Sequence, residues 1–119
     1  MASWDDRWRE IGIAQPDEIG PSGSFAAIEH LLPRQGGCLE IACGNGGGAV
    51  WMALRGLSVF GVDSSTVAID LARRSAEDAG VADRCRFEVH DLDAGLPEGP
   101  PVDVAICHMF RDPRLDVPL

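Results

Sequence analysis

The sequence predicts an α/β fold in which parallel strands, joined by right-handed helical crossovers, form the middle of a three-layer sheet. Three observations carry that expectation. Apolar runs at residues 38–41, 57–62, 85–89 and 102–107 read as strands, and stretches of helical periodicity stand between the first three. Glycines crowd behind the first run, at Gly44, Gly46, Gly47 and Gly48, where a strand must turn tightly into a helix. The second run ends on a carboxylate, Asp63, about 20 residues beyond the glycine turn, as a nucleoside-binding βαβ unit requires.

Taken in order, the chain opens with a punctuated arm over residues 1–23. Trp4 and Trp8, four apart in a charged setting, share one face of a short helix before Pro16, Gly20, Pro21 and Gly23 break it. The two indoles either staple the arm to the body or touch a substrate. Ser24 caps a second helix through Phe25, Ala26, Ile28, Leu31 and Leu32, with Pro33 at its exit. After the glycine turn, residues 49–54 form a short, almost wholly apolar helix, with Arg55 as a cationic last turn and Gly56 as a left-handed stop. Asp63, Ser64 and Ser65 offer caps for a helix carrying Val67, Ala68, Ile69, Leu71, Ala72 and Ala76 and ending at Gly80. The third strand alternates over residues 85–89 and leads into His90, Asp91, Leu92 and Asp93. A loop with Pro97, Gly99, Pro100 and Pro101 precedes the fourth strand, which ends at His108, Met109 and Phe110.

Composition removes several function classes. At 119 residues the chain is one domain, and ten basic against nineteen acidic residues give a net charge of −9. That charge opposes binding to phosphate backbones and anionic membranes, so no nucleic-acid partner is expected. There is neither a bilayer-spanning apolar run nor a basic, apolar signal sequence at the start, which predicts a cytoplasmic protein without a membrane partner. Cys38, Cys43, Cys85 and Cys107 fall in or beside buried strands without paired ligand spacing. They read as reduced core residues, and no metal site is expected.

The segment from Gly44 to Ala49 can be written G-x-G-x-x-A, which admits a nicotinamide dinucleotide. The carboxylates argue otherwise. Glu40 lies inside the first strand, Asp63 ends the second and Asp91 ends the third, so all three gather near the carboxyl edge of the sheet, where open parallel sheets bind ligands. Three acids repel a pyrophosphate but suit a sulfonium, an ammonium, ribose hydroxyls and an adenine amino group. S-adenosylmethionine carries those groups and no phosphate. An acid in an apolar strand costs several kcal/mol unless something holds it, so Glu40 either faces the ligand, accepts amide N–H groups of the glycine turn, or does both.

With those residues in view, the sequence resembles the class I S-adenosylmethionine-dependent methyltransferases, whose sheet is Rossmann-like with helices on both faces. The resemblance rests on residues 39–46, 59–65, 89–92 and 102–109 and spans roughly 36–112. It implies that Glu40 partners the methionine moiety, and that Ala42, Cys43, Gly44, Asn45 and Gly46 form the turn, with Gly44 and Gly46 giving backbone approach. Asp63, followed by Ser64, would bind the ribose hydroxyls. Asp91 would take the adenine amino group, with the Leu92 backbone alongside, and Cys107 and His108 would lie near the transferable methyl. Ala42 stands where many members have glycine. The segment from Trp4 to Trp8 is similar to the aromatic opening of the thiopurine and tellurite-resistance branch, which implies a small-molecule acceptor.

The reaction so implied is an in-line displacement on an activated carbon, for which alignment does most of the work. His108 is the one candidate base, and a loop hydrogen bond is its other role. His90 is expected to orient its turn, and His30 has no evident role. The family sheet has seven strands and four are visible here. This predicts a C-terminally truncated domain with residues 1–23 as arm, 24–112 as cofactor-binding core and 113–119 as irregular tail. Its fourth strand would be an edge open to self-association. A non-catalytic S-adenosylmethionine-binding module and a nicotinamide-binding protein are the alternatives.

Overall fold

A computed structural model describes residues 4–16, 19–20, 29–95, 97–99 and 101–107, excepting the side chains of Glu29, Leu92 and Cys107. Helix α1 spans Trp4–Ile11, strand β1 Gly37–Ile41, helix α2 Gly47–Arg55, strand β2 Ser58–Asp63, helix α3 Thr66–Asp78, strand β3 Cys85–Val89 and strand β4 Val104–Cys107. The four strands form one parallel sheet in the order β3-β2-β1-β4, the α/β architecture expected from the sequence. Residues 21–28 and 108–119 lie outside the described residues, and with them most of the helix expected from Ser24, His108, and the tail. The described residues at the end of that expected stretch form a 3₁₀ turn at Glu29–Leu31.

Parallel register places Cys38 and Glu40 on the same sheet face as Val59, Gly61, Phe87 and Ile106. That face meets Ala49, Val50, Met52 and Ala53 of α2 and Ile69, Ala72 and Ala76 of α3 in a single core cluster. Two right-handed crossovers running the same way across a sheet leave their helices on the same side. The longer connection from β3 to β4 brings Gly99 against the ring of Phe60, on the opposite face. Arg86 also stacks on Phe60 there, its guanidinium carbon 4.8 Å from the ring centroid.

The helix boundaries follow from local chemistry. Helix α2 begins two residues before the apolar stretch suggests, because Gly47 and Gly48 enter the helix directly behind the left-handed Gly46. It stops at Gly56 (φ +117°), where the Gly56 and Leu57 amides return to the Ala53 and Met52 carbonyls. Arg55 donates to the carbonyls of Leu32 (2.9 Å) and Pro33 (3.1 Å), fastening the end of α2 to the chain entering β1. Helix α3 is capped by Ser65, whose Oγ accepts from the Ala68 amide at 3.1 Å. Strand β4 is two residues shorter than expected. Asp103 leaves the ladder to exchange bonds with Gly37: its amide donates to the Gly37 carbonyl and its Oδ2 accepts the Gly37 amide, both at 2.9 Å.

Candidate functional site

The turn between β1 and α2 is held by hydrogen bonds from the neighbouring strand. The Cys43 amide donates to the Val62 carbonyl (3.0 Å), extending the ladder one step past β1, and the Gly46 amide returns to the Cys43 carbonyl (3.1 Å). The Gly44 amide donates to Asp63 Oδ2 at 3.0 Å. Asp63 Oδ1 accepts the Ser65 amide, also at 3.0 Å, so this half-buried carboxylate ties the glycine turn to the start of α3. Accepting amide N–H groups of the glycine turn is the alternative role the sequence suggested for Glu40, and at Gly44 it is Asp63 that accepts. Each Asp63 oxygen keeps a second lone pair for a ligand hydroxyl.

Backbone conformation in the turn is left-handed three times, at Ala42 (φ +58°), Gly44 (φ +57°) and Gly46 (φ +86°). The glycines answer packing as well as conformation. A Cβ on Gly44 would lie 2.6 Å from the Trp8 ring, and one on Gly46 would lie 3.0 Å from the Ala72 backbone of α3. Ala42 bears the left-handed cost without such relief, roughly 1 kcal/mol for a residue with a Cβ. Ala42→Gly is therefore expected to stabilise the chain by about 0.5 kcal/mol after the added unfolded-state entropy, measured by urea denaturation. An unchanged or lower midpoint would show that the turn carries no strain at this residue.

Glu40 is 1% exposed in the centre of the sheet, facing the core side. Burial pushes its carboxyl up to about 8, so near neutral pH it is mostly protonated. Around it the thiols of Cys38 and Cys85 are raised to about 12 and about 11, and that of Cys43 higher still, chiefly by burial and then by the Glu40 charge. Cys38, Cys43 and Cys85 are free thiols, as a reduced core implies. None is poised as a nucleophile, because a raised thiol gives little thiolate.

Asp91 follows the end of β3, one residue beyond His90, whose amide donates to the Asp63 carbonyl at 2.9 Å. Its side chain is exposed, with Oδ1 accepting the Asp93 amide (2.9 Å) as the chain enters a 3₁₀ turn at Leu92–Ala94. His90 Nε2 lies 2.7 Å from the Gly95 carbonyl, a contact that orients this turn as expected. Ser64 is exposed beside Asp63, and Cys107 closes β4 opposite Ile41. The carboxyl ends of β1, β2 and β3 thus bring the glycine turn, Asp63, Ser64 and Asp91 to one edge of the sheet. Glu40 lies one residue inside that edge. His30 is exposed on its 3₁₀ turn, and among the described residues no cluster of His, Cys, Asp and Glu could hold a metal ion.

Helix α1 is the part of the site that the sequence left open. Trp8 is buried against Ala68 and Leu71 of α3, and Trp4 packs on the same cluster, so Trp8 staples the arm to the body. The arm also reaches the turn itself: Asn45 Nδ2 donates to the Gly12 carbonyl (3.1 Å), and Ser65 Oγ donates to Asp5. The four-residue spacing of the indoles revealed the helix and its buried face, but nothing local revealed that Trp8 would lie on Gly44. An open depression of about 360 Å³ between α1 and α3, lined by Arg9, Thr66, Val67, Asp70, Leu71 and Arg74, contains none of the residues assigned to a ligand from sequence.

Comparison with known proteins supplies the family. Residues 38–117 match the family described as methyltransferase domain. A curated relative, the uncharacterized protein YjhP of Escherichia coli K12, is 30% identical over 86 residues, covering 70% of this chain and 34% of its own length. A crystal structure of a SAM-dependent methyltransferase from Thiobacillus denitrificans with S-adenosyl-L-homocysteine aligns with a TM-score of 0.66 and 26% identity, covering 89% of this chain and 43% of that one. Another, from Geobacter sulfurreducens with the same ligand, aligns with a TM-score of 0.61 and 26% identity, covering 78% and 36%. The chain therefore spans between a third and a half of the length of these relatives. Among the described residues no helix is long and apolar enough to cross a membrane.

Proposed function

This chain belongs to the methyltransferase-domain family, and from that premise we propose that it binds S-adenosylmethionine and transfers its methyl group to a small-molecule acceptor by in-line displacement. One observation carries the reading. A glycine turn is tied to the Asp63 carboxylate, with Asp91 on the same edge and Glu40 buried beneath it. This set of carboxyl acceptors fits a ligand of ribose hydroxyls, an amino group and a cationic centre and disfavours a pyrophosphate.

In this reading Asp63 uses its remaining lone pairs for the ribose hydroxyls, with Ser64 beside it. Asp91 accepts from the adenine amino group, and the Leu92 backbone flanks the base. Glu40 faces the methionine end beneath Ala42 and Cys43, where a nearby cation would draw off its proton. Gly44, Asn45 and Gly46 offer backbone to the ligand on whatever side Trp8 and Ala72 leave free. When bound, S-adenosylmethionine supplies the activated methyl. The family resemblance assigns Cys107, at the end of β4, and His108, outside the described residues, to the neighbourhood of that methyl, with His108 as the candidate base. The acidic charge and the aromatic opening favour a small acceptor over nucleic acid, and the free thiols favour the cytoplasm.

Calorimetry with S-adenosylhomocysteine and NAD side by side tests the cofactor. Micromolar binding of the first with none of the second is expected, and the reverse would overturn the reading. The second reading is a binding module without turnover. Binding without methyl transfer to thiols, amines and phenols would select it. Among the described residues strand β4 lies at one edge of the sheet, and an edge of this kind gives a route to self-association. Light scattering is expected to show a dimer or higher species, whereas a monodisperse monomer with a cooperative melt would remove that proposal.

A further inference from the structure

We propose that Trp8 is a positioning residue of the nucleoside site, holding the Gly44 peptide so that its N–H stays on the Asp63 carboxylate. The proposal rests on the cofactor reading above and adds the arm to it. The Trp8 benzo edge lies 2.6 and 2.8 Å from where a Gly44 Cβ would stand, so the indole forms a wall directly over that Cα. Gly44 is left-handed (φ +57°) and points its amide at Asp63 Oδ2. With the wall gone, a glycine is free to leave this conformation at little cost, and the amide leaves with it.

The wall is itself anchored. Trp8 packs on Ala68 and Leu71, and its carbonyl accepts the Gly12 amide at 2.9 Å. The Gly12 carbonyl in turn receives the Asn45 side chain. At the other end of α1, Asp5 accepts from Ser65, the residue whose amide fills the second Asp63 oxygen. Gly44, Asn45 and Asp63, three residues assigned to the cofactor, are thus braced from outside by one helix. The arm behaves as part of the site and not as a tether.

A size exchange tests this. Trp8→Leu is expected to weaken S-adenosylhomocysteine binding about tenfold, the worth of one hydrogen bond to a carboxylate, while Trp8→Phe stays within about threefold of wild type. Gly44→Ala is expected to lose binding through its collision with the indole, and Trp8→Ala/Gly44→Ala to bind better than Gly44→Ala alone. Wild-type affinity in Trp8→Leu, or a double variant no better than Gly44→Ala, would overturn the proposal. The Gly44 amide proton resonance gives a second readout without ligand: Trp8→Leu should shift it toward the random-coil position, and Trp8→Phe should restore it. A merely structural Trp8 would lower the melting temperature of its variants and leave that resonance and the affinity of the folded protein unmoved. If the wild-type chain ignored S-adenosylhomocysteine, the cofactor reading would fall while the amide resonance still judged Trp8.

Discussion

Asp63→Ala is expected to lower both stability and nucleoside affinity, and Asp63→Asn to separate the two. The carboxylate accepts the Gly44 and Ser65 amides at 3.0 Å each, and in the alanine variant both donors lose their partner. Charge-assisted bonds of this kind contribute roughly 1.5–3 kcal/mol when buried; because Asp63 is half-buried and water can replace part of the loss, about 2 kcal/mol in total is expected. Asparagine keeps one acceptor oxygen but turns an NH₂ toward a backbone donor, so it should lose about half as much. For the ligand, removing the acceptor of both ribose hydroxyls should cost on the order of a hundredfold in S-adenosylhomocysteine affinity, and asparagine roughly tenfold. Denaturation and calorimetry on the same samples measure both. An alanine variant with wild-type affinity would take Asp63 out of the ribose site, and one with wild-type stability would show that the turn does not depend on it.

This double duty marks where the sequence could be read and where it could not. The strands, the capped helix α3 and the left-handed stop at Gly56 were legible because each is set by neighbours within a few positions: apolar alternation, a serine before a helical stripe, a glycine behind a cationic turn. The errors at element ends have the same local origin. Gly47 and Gly48 carry no helical signal of their own, and Asp103 leaves the strand for a partner 66 positions away. The gathering of Asp63, Asp91 and Glu40 at one edge followed from topology, since the strands of a parallel sheet all present their carboxyl ends together. What stayed hidden depends on tertiary contacts. The Gly44 amide goes to Asp63, 19 positions on, and Trp8 covers Gly44 from 36 positions away. Gly44 was read as an opening for a ligand, and the fold places an indole against it.

Glu40 sets the second large effect, a stability that falls as pH rises. Its carboxyl is held at about 8 when folded against an ordinary value of 4.5, with burial as the cause. Below about 4.5 both folded and unfolded chains hold this proton. Between 4.5 and 8 the unfolded chain releases it and the folded chain keeps it, so unfolding gains with each unit of pH, and above 8 the difference levels off. The loss across that window is about 5 kcal/mol as an upper bound, a large share of what holds a domain of this size together. The thiols facing Glu40 titrate higher, those of Cys38 and Cys85 at about 12 and about 11, so they do not confuse the window. Glu40→Gln carries no proton to lose, and its stability should stay nearly flat over the same range, exceeding wild type at pH 8. Denaturation midpoints at pH 5, 6, 7 and 8 decide it, and parallel profiles for the two proteins would show that Glu40 ionises freely. The same proton reports on the ligand. If a cationic methionine moiety meets Glu40, binding near pH 7 must expel a proton, and the apparent enthalpy should shift between buffers of different ionisation enthalpy in wild type but not in Glu40→Gln. An enthalpy independent of buffer in both would place the cation away from Glu40, even with the nucleoside bound to Asp63.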